Sequence, residues 1–197
     1  MDLSKYQALI FDMDGTLIDS MPAHLGAWRR TCEAFGIPFD QEWLHSLGGM
    51  PTKKTARAII ERYQLDVQPQ LLVETKFQYY EATEHKGVVI PATVDLLKQF
   101  RHEKKTAVGT GCIRRHADEL LTMTELLPLL DAVVTASDVI RYKPEPDTFL
   151  LAAERVGVKP QDCVVFEDTN LGRQAALAAG MDCILVKNGE LVEFTKA

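Results

Sequence analysis

The most informative part of this 197-residue chain is the stretch Ala8-Leu9-Ile10-Phe11-Asp12-Met13-Asp14-Gly15-Thr16. Its first four residues form an apolar run, which predicts a short buried strand. Two carboxylates, Asp12 and Asp14, follow where that strand must end, and Gly15 allows a sharp turn there. Such a pair can supply a nucleophile with a neighbouring acid/base, or oxygen ligands for Mg²⁺. Because Asp is also common in turns, the position of the pair after a strand is what makes it informative.

Four further apolar runs follow the first, and helical patterns separate them. The runs cover residues 106–109, 132–136, 163–166 and 183–186. Strands that alternate with helices indicate a parallel sheet covered on both faces. The sequence therefore predicts an α/β fold with a Rossmann-like parallel sheet core flanked by helices. The tail from Lys187 onward carries little signal, and we expect it to be loosely attached.

The interval between the first two strands, residues 12–105, is far too long for a single crossover. It contains three helical patterns, at residues 23–35, 55–63 and 71–84. We therefore expect an α-helical cap subdomain at residues 21–87, inserted into a core domain formed by residues 1–20 and 88–197.

Charge and hydropathy limit the function classes. A net charge of -6 argues against binding to nucleic acid or to a membrane surface. No apolar run approaches the roughly 18 residues of a membrane-spanning helix, and the first run is too short for a signal peptide. The four cysteines show no C-x-x-C spacing, which favours a reduced, cytoplasmic setting. Nothing in the sequence demands an oligomer, so we expect a monomer.

Polar residues follow four of the predicted strands. They are Asp12 and Asp14, Thr110 and Gly111, Lys143, and Glu167 and Asp168. Ligands of open parallel sheets bind beyond the carboxyl ends of the strands, so these residues should converge. Clustered carboxylates repel one another unless a cation compensates, which favours Mg²⁺. A hydroxyl, an ammonium and free helix amides suit phosphoryl oxygens, so the set predicts phosphoryl transfer.

Each of these residues also has an ordinary structural explanation. Asp14 can shape a turn, Thr110 can cap a helix, and Lys143 can be a solvated loop charge. Asp168 or Thr169 can cap the last helix. The coincidence of all of them at the ends of different strands favours a functional site.

The chain resembles the haloacid dehalogenase-superfamily phosphohydrolases over nearly its full length. The residues that carry the resemblance are the Asp12–Thr16 stretch, Thr110, Lys143, and the run Phe166-Glu167-Asp168-Thr169-Asn170-Leu171-Gly172. A helical cap directly after the first motif resembles the beta-phosphoglucomutase-like subgroup. Within it, the chain is most similar to the bacterial sugar phosphatases that act on fructose 1-phosphate and 6-phosphogluconate.

The resemblance implies roles for the core residues. Asp12 would be the nucleophile that forms an aspartyl phosphate, and Asp14 the acid and then the base. The metal site would hold Mg²⁺ through Asp12, the backbone carbonyl of Asp14, and Asp168, with Glu167 beside them. Thr110 and Lys143 would hold the transferring oxygens, and Gly111 would belong to the substrate site.

The resemblance also implies substrate contacts from the cap. His24 and Lys76 fall near cap positions that the mutase uses, and Thr52 lies in the corresponding cap loop. The alternative is that His24 only supports the cap and that Lys76 is a surface charge. The loop Gly48-Gly49-Met50-Pro51-Thr52 lacks the arginine with which beta-phosphoglucomutase holds a second phosphate. Thr52 cannot replace a bidentate arginine.

The sequence therefore predicts an Mg²⁺-dependent phosphatase of a small phosphorylated sugar. Beta-phosphoglucomutase, an isomerase, is the closest alternative. A phospho-accepting receiver domain is more remote, because Asp14 would turn an acyl phosphate over and a cap has no role there. A haloacid dehalogenase would need neither Mg²⁺ nor Asp14.

Overall fold

A computed structural model describes residues 2–197 of the protein. The strands are β1 (Ala8–Phe11), β2 (Ile18–Asp19), β3 (Val88–Val89), β4 (Lys105–Gly109), β5 (Ala132–Val134), β6 (Cys163–Glu167), β7 (Asp182–Lys187) and β8 (Glu190–Thr195). The helices are α1 (Met21–Ala34), α2 (Gln41–Ser46), α3 (Thr52–Tyr63), α4 (Pro69–Glu81), α5 (Pro91–Phe100), α6 (Arg114–Met123), α7 (Asp147–Val156) and α8 (Asn170–Ala178). Short 3₁₀ turns occupy Leu127–Leu129 and Pro160–Asp162.

Six strands form one sheet in the order β5-β4-β1-β6-β7-β8. The first five of these pair in parallel, and all four residues of β1 are buried at the centre. The register places Phe11 beside both Val108 and Phe166, so the three central strands end at the same level. This arrangement confirms the predicted α/β core and brings the residues after β1, β4 and β6 to one edge.

Helices cover both faces of the sheet. On one face, Val94 of α5 and Leu120 of α6 pack with Leu9 and Phe11. On the other face, residues of α7 and α8 pack against Ile10 and its neighbours in β6 and β7; they include Phe149, Ala152, Ala175 and Ala176. Alternate residues of β1 thus enter opposite cores, which explains why the strand is apolar throughout.

The expectation of a loosely attached tail is wrong. Residues 190–195 form β8, which pairs antiparallel with β7 at the edge of the sheet. The turn between them contains Asn188 and Gly189, both with positive φ (52° and 77°). An Asn-Gly pair is a strong hairpin signal, because a type I′ turn needs positive φ at both central residues. The pairing was hidden because β8 is mostly exposed and lacks a buried apolar face.

Four helices, α1 to α4, lie between β2 and β3 in the chain. We refer to residues 21–81 as the helical segment. It has its own apolar cluster, which includes Trp28, Leu44, Ile59 and Leu72. The short helix α2 was missed, whereas α1, α3 and α4 correspond to the three predicted patterns. The division into two domains with boundaries at 20/21 and 87/88 stays a prediction.

The segment joins the rest of the chain at a two-stranded antiparallel ribbon. Here β2 pairs with β3, with Ile18 opposite Val89 and Asp19 opposite Val88. None of the helices within residues 2–197 combines the length and apolar character needed to cross a bilayer.

Candidate active site

A buried cluster of carboxylates lies at the carboxyl ends of β1 and β6. Asp12 directly follows β1, Glu167 is the last residue of β6, and Asp168 comes next. Each offers an oxygen atom that lies within 4.8 Å of an oxygen of the others. The ammonium of Lys143 donates to Asp12 Oδ1 at 2.5 Å and to Glu167 Oε1 at 2.8 Å. The structure thus brings together four of the predicted site residues.

The electrostatics of this cluster favour a bound cation. Burial, together with the neighbouring carboxylates, raises the pKa of Asp12 to about 7 and that of Asp168 to about 9. Burial opposes the charge of Lys143, but Asp12 and Glu167 outweigh it and raise its pKa. One ammonium therefore does not compensate the carboxylates. Three hard oxygen donors with excess negative charge fit a divalent cation of the Mg²⁺ type.

Small residues and one threonine fix the positions of these carboxylates. A side chain at Gly15, which has φ +86°, would overlap the Asp168 carboxylate, and one at Gly172 would overlap Glu167. Thr169 donates to Glu167 Oε2 through its amide at 2.5 Å and its hydroxyl at 2.8 Å. The same hydroxyl accepts from the Gly172 amide and caps α8. Thr169 is thus both the helix cap considered from the sequence and a support for Glu167.

Asp14 turns away from the carboxylate cluster toward the helical segment. Its Oδ1 accepts a hydrogen bond from the Ser20 hydroxyl at 2.5 Å, and the His24 Nε2 lies 3.3 Å away. Burial opposes ionisation of Asp14, but His24 and Ser20 outweigh it and lower the pKa. Ser20, a neighbour of Asp14 that was not predicted from the sequence, directly precedes α1.

Lys76 is buried against His24 and is not a surface charge. It is 1% exposed, and its Nζ lies 2.9 Å from His24 Nδ1. Burial lowers the pKa of Lys76 to about 8 and also lowers that of His24. Tyr80 stacks on His24 with ring centroids 4.5 Å apart, and the Lys76 Nζ lies 4.6 Å from the Tyr80 ring. Tyr80 was not predicted, although it stands one helical turn after Lys76 on α4.

A cavity separates the helical segment from the ends of the strands. The predicted site residues that line it are Asp12, Asp14, Thr110 and Gly111 from the core side and His24, Thr52 and Lys76 from the helical segment. The lining does not include Lys143, Glu167 or Asp168. The Thr110 hydroxyl accepts from the Cys112 amide at 3.0 Å, which leaves its own proton free to donate.

Several lining residues were not found from the sequence. The helical segment adds an apolar roof that includes Trp28, Leu44, Leu47, Met50 and Phe77. The residues that follow β4 add Cys112, Ile113 and His116. No pattern marks them as functional, because apolar residues at helical spacing usually indicate a core. One end of the cavity is therefore polar and charged, whereas its roof is apolar.

Comparison with known proteins identifies the class of enzyme to which this geometry belongs. A family model described as haloacid dehalogenase-like hydrolase matches residues 9–186, and the chain belongs to that family. The family resemblance noted from the motifs is thereby confirmed. The match begins within β1, ends within β7 and includes every residue assigned to the site.

Individual relatives cover almost the whole chain. The fructose-1-phosphate phosphatase YqaB of Escherichia coli K12 is 43% identical over 183 residues, which are 93% of this chain and 97% of that protein. A phosphorylated carbohydrates phosphatase of Thermotoga maritima is 30% identical over 182 residues, covering 90% of this chain and 83% of that one. A crystal structure of beta-phosphoglucomutase from Clostridium difficile superimposes with a TM-score of 0.82 at 26% identity, covering 93% of this chain and 85% of that chain.

Proposed function

We propose that this protein is an Mg²⁺-dependent phosphatase that hydrolyses a small sugar phosphate through an aspartyl-phosphate intermediate. The observation that carries the proposal is that two carboxylates only two residues apart have different surroundings. Asp12 lies among the acidic cluster and Lys143, whereas Asp14 faces the helical segment through Ser20 and His24. A nucleophile and an acid/base therefore flank the same cavity.

In the first step, an oxygen of Asp12 attacks phosphorus and the bond from phosphorus to the sugar oxygen breaks. Asp14 gives a proton to the departing alkoxide, so the sugar leaves as an alcohol. The pKa of Asp14 is lowered in the free protein, which favours its ionised form. An arriving phosphate dianion raises the proton affinity of a nearby carboxylate, because like charges disfavour ionisation. Substrate binding thus supplies the condition under which Asp14 can act as an acid.

In the second step, water attacks the aspartyl phosphate and releases inorganic phosphate. Asp14, now ionised, takes the proton of that water, and Asp12 is restored. The contacts of Asp14 suit this role, since Ser20 and His24 keep its carboxylate oriented. One residue therefore serves as acid and base in turn.

The remaining core residues position and neutralise the phosphoryl group. Asp12, Glu167 and Asp168 would hold Mg²⁺ with the backbone carbonyl of Asp14, and the ion supplies charge neutralisation for phosphoryl oxygens. Thr110 donates its free hydroxyl proton, and Gly111 its amide, to the same oxygens. Lys143 keeps Asp12 in place and adds positive charge next to it.

The proposed substrate is a small phosphorylated sugar of the fructose 1-phosphate or 6-phosphogluconate type. The names of the Escherichia coli and Thermotoga relatives support a phosphorylated carbohydrate. The polar groups of the helical segment, His24, Thr52 and Lys76, would meet the sugar. A cytoplasmic monomer that binds neither nucleic acid nor membranes agrees with four free cysteines and a net charge of -6.

Beta-phosphoglucomutase remains the alternative, because solved structures with that name share the fold. A mutase must bind both phosphate groups of a bisphosphate intermediate. The described residues that line the cavity include no arginine, and the resemblance would place one near Thr52, which the structure puts at the start of α3. A screen for inorganic phosphate release over a panel of sugar monophosphates tests the assignment. Conversion of a sugar 1-phosphate to its 6-phosphate without phosphate release would instead establish the isomerase.

Hydrolysis is expected to require a divalent cation. The carboxylate cluster repels a phosphate dianion until a cation compensates it, so excess EDTA should abolish phosphate release. Added Mg²⁺ should restore it, and a chelator-treated sample measured by circular dichroism controls for unfolding. Full turnover in excess EDTA would rule out the proposed mechanism.

Asp14→Asn is expected to slow sugar phosphate hydrolysis by about 10²–10⁴-fold, because it removes the general acid/base. With an aryl phosphate, whose phenolate leaves without a proton, Asp12 should still be phosphorylated. The variant should then release one burst of phenolate and stall, since no base activates the water. Asp19→Asn, at an exposed position nearby, is the matched control. Steady phenolate release at the wild-type rate would contradict the role of Asp14.

A further inference from the structure

Two glycines meet where the helical segment contacts the residues that follow the strands. Gly111 lies two residues after β4, and Gly49 lies in the loop of residues 47–51 between α2 and α3. A Cβ at Gly111 would overlap the Gly49 carbonyl oxygen and stand 3.1 Å from its carbonyl carbon. Gly111 does not have a positive φ, so its backbone conformation does not itself require glycine. The close approach of Gly49 is what excludes a side chain there.

The other side of the same loop is equally close to the core. Gly49 has φ +77°, and a Cβ there would lie 3.2 Å from the Thr169 hydroxyl. A Cβ at Gly48 would lie 3.3 Å from the Thr169 methyl group. Thr169 is itself held by its bonds to Glu167. The loop therefore rests between two fixed parts of the core, and a backbone contact cannot be relieved by rotating a side chain.

The helical segment makes a second contact with the rest of the chain at the start of α6. His116 of α6 is buried, and its Nε2 lies 3.1 Å from Glu81 Oε1 at the end of α4. Arg115 also pairs with Glu81. The helical segment is thus attached to α6 at one end and rests on Gly111 at the other. Bulk added at Gly111 would tilt the segment and lift the 47–51 loop most.

We propose that Gly111 is a positioning residue that sets how closely the helical segment approaches the site, and thereby selects the leaving group. This inference rests on the proposed phosphatase function. Leu47 and Met50 belong to the 47–51 loop and form part of the cavity roof. When the loop rests on Gly111, the roof encloses a small sugar and excludes water. When the loop is raised, a small sugar loses its contacts and bulkier leaving groups gain room.

Gly111→Ala adds one methyl group at this contact and keeps the amide. We expect the 47–51 loop to retreat by on the order of 1 Å, and a misplacement of that size costs about 10²-fold in rate. That loss should appear in kcat/KM for the small sugar phosphate that the wild type prefers. The loss for an aryl phosphate should be several-fold smaller, because its leaving group needs neither the acid nor tight enclosure. Gly111→Val should shift the ratio of the two activities further in the same direction.

Gly26→Ala is the matched control. Gly26 is an exposed residue of α1, and a Cβ there would meet nothing within 4 Å. This variant should keep the wild-type ratio of sugar phosphate to aryl phosphate hydrolysis. Thermal unfolding of all variants establishes that each one is folded before the ratios are compared.

A readout besides activity reports the position of the segment. Both tryptophans, Trp28 and Trp43, lie in the helical segment, and Trp28 lines the cavity. Their fluorescence in the presence of inorganic phosphate and Mg²⁺ should differ from wild type in Gly111→Ala and match it in Gly26→Ala. A crystal structure of Gly111→Ala should show the Gly49 carbonyl displaced from residue 111.

The outcomes separate the two proposals. If the wild type releases no phosphate from any sugar phosphate, the proposed function fails. If it does, and folded Gly111→Ala keeps the wild-type substrate ratio and tryptophan signal, the function stands and the role of Gly111 is overturned. A uniform loss on every substrate also overturns it, because that result means damage to phosphoryl binding rather than a change in enclosure.

Discussion

Asp12→Asn is expected to abolish turnover, with a loss of about 10⁴-fold or more on every phosphate ester, as for other covalent nucleophiles. The amide keeps the shape of the carboxylate but cannot attack phosphorus, so no aspartyl phosphate forms. Rapid quenching with substrate and mass spectrometry of the intact protein measure this directly. The wild type should carry one phosphoryl group on Asp12, and the variant should carry none.

The loss should not be due to unfolding. In the metal-free protein, burial of Asp12, together with repulsion from the neighbouring carboxylates of Glu167 and Asp14, raises the pKa of Asp12 to about 7. A neutral side chain at this position relieves repulsion, so Asp12→Asn should unfold at a temperature no lower than the wild type at neutral pH. Asp19→Asn, at an exposed position, should retain full activity. Turnover by Asp12→Asn near the wild-type rate would mean that another residue is the nucleophile.

The core of the fold could be predicted from the sequence because its strands are buried on both faces. The four residues of β1 are apolar without alternation, since Leu9 and Phe11 enter one core and Ile10 the other. The ends of the strands could therefore be predicted, and so could the position of Asp12 and Glu167 at one edge of the sheet. An edge strand has no such requirement, so β8 was missed although its Asn188-Gly189 turn was visible.

The residues of the candidate site could be predicted from the sequence, but the contacts between them could not. Periodicity cannot show that Asp14 turns toward α1 while Asp12 stays with Lys143. Burial of Lys76 was equally hidden, because a lysine on a helix is ordinarily solvated. The pairing of Lys76 with His24 joins residues on α4 and α1, and only the packing of the helical segment determines it. Long-range contacts of this kind carry no local signal.

Lys143→Ala and Lys76→Ala are expected to differ in how their losses depend on substrate. Lys143 contacts the nucleophile Asp12 and Glu167, which serve every substrate alike. Its removal should cost about 10²–10³-fold on sugar and aryl phosphates equally, the range for losing one charge-stabilising donor. It should also destabilise the metal-free protein by about 3–5 kcal/mol, because buried carboxylates lose their partner. Steady-state kinetics and denaturant unfolding measure the two effects.

Lys76→Ala should spare the aryl ester. Lys76 contacts His24, which in turn contacts Asp14, and an aryl leaving group needs no proton from Asp14. A comparison of several sugar phosphates then separates two possible roles of Lys76. If Lys76 only orients His24, all sugar phosphates should lose activity by the same factor. If its ammonium also meets the sugar, the loss should be larger for an anionic or strongly polar sugar than for a less polar one. Lys53→Ala, an exposed position on α3, is the control and should change neither ratio. Equal losses for Lys76→Ala and Lys143→Ala on every substrate, the aryl ester included, would contradict both roles of Lys76.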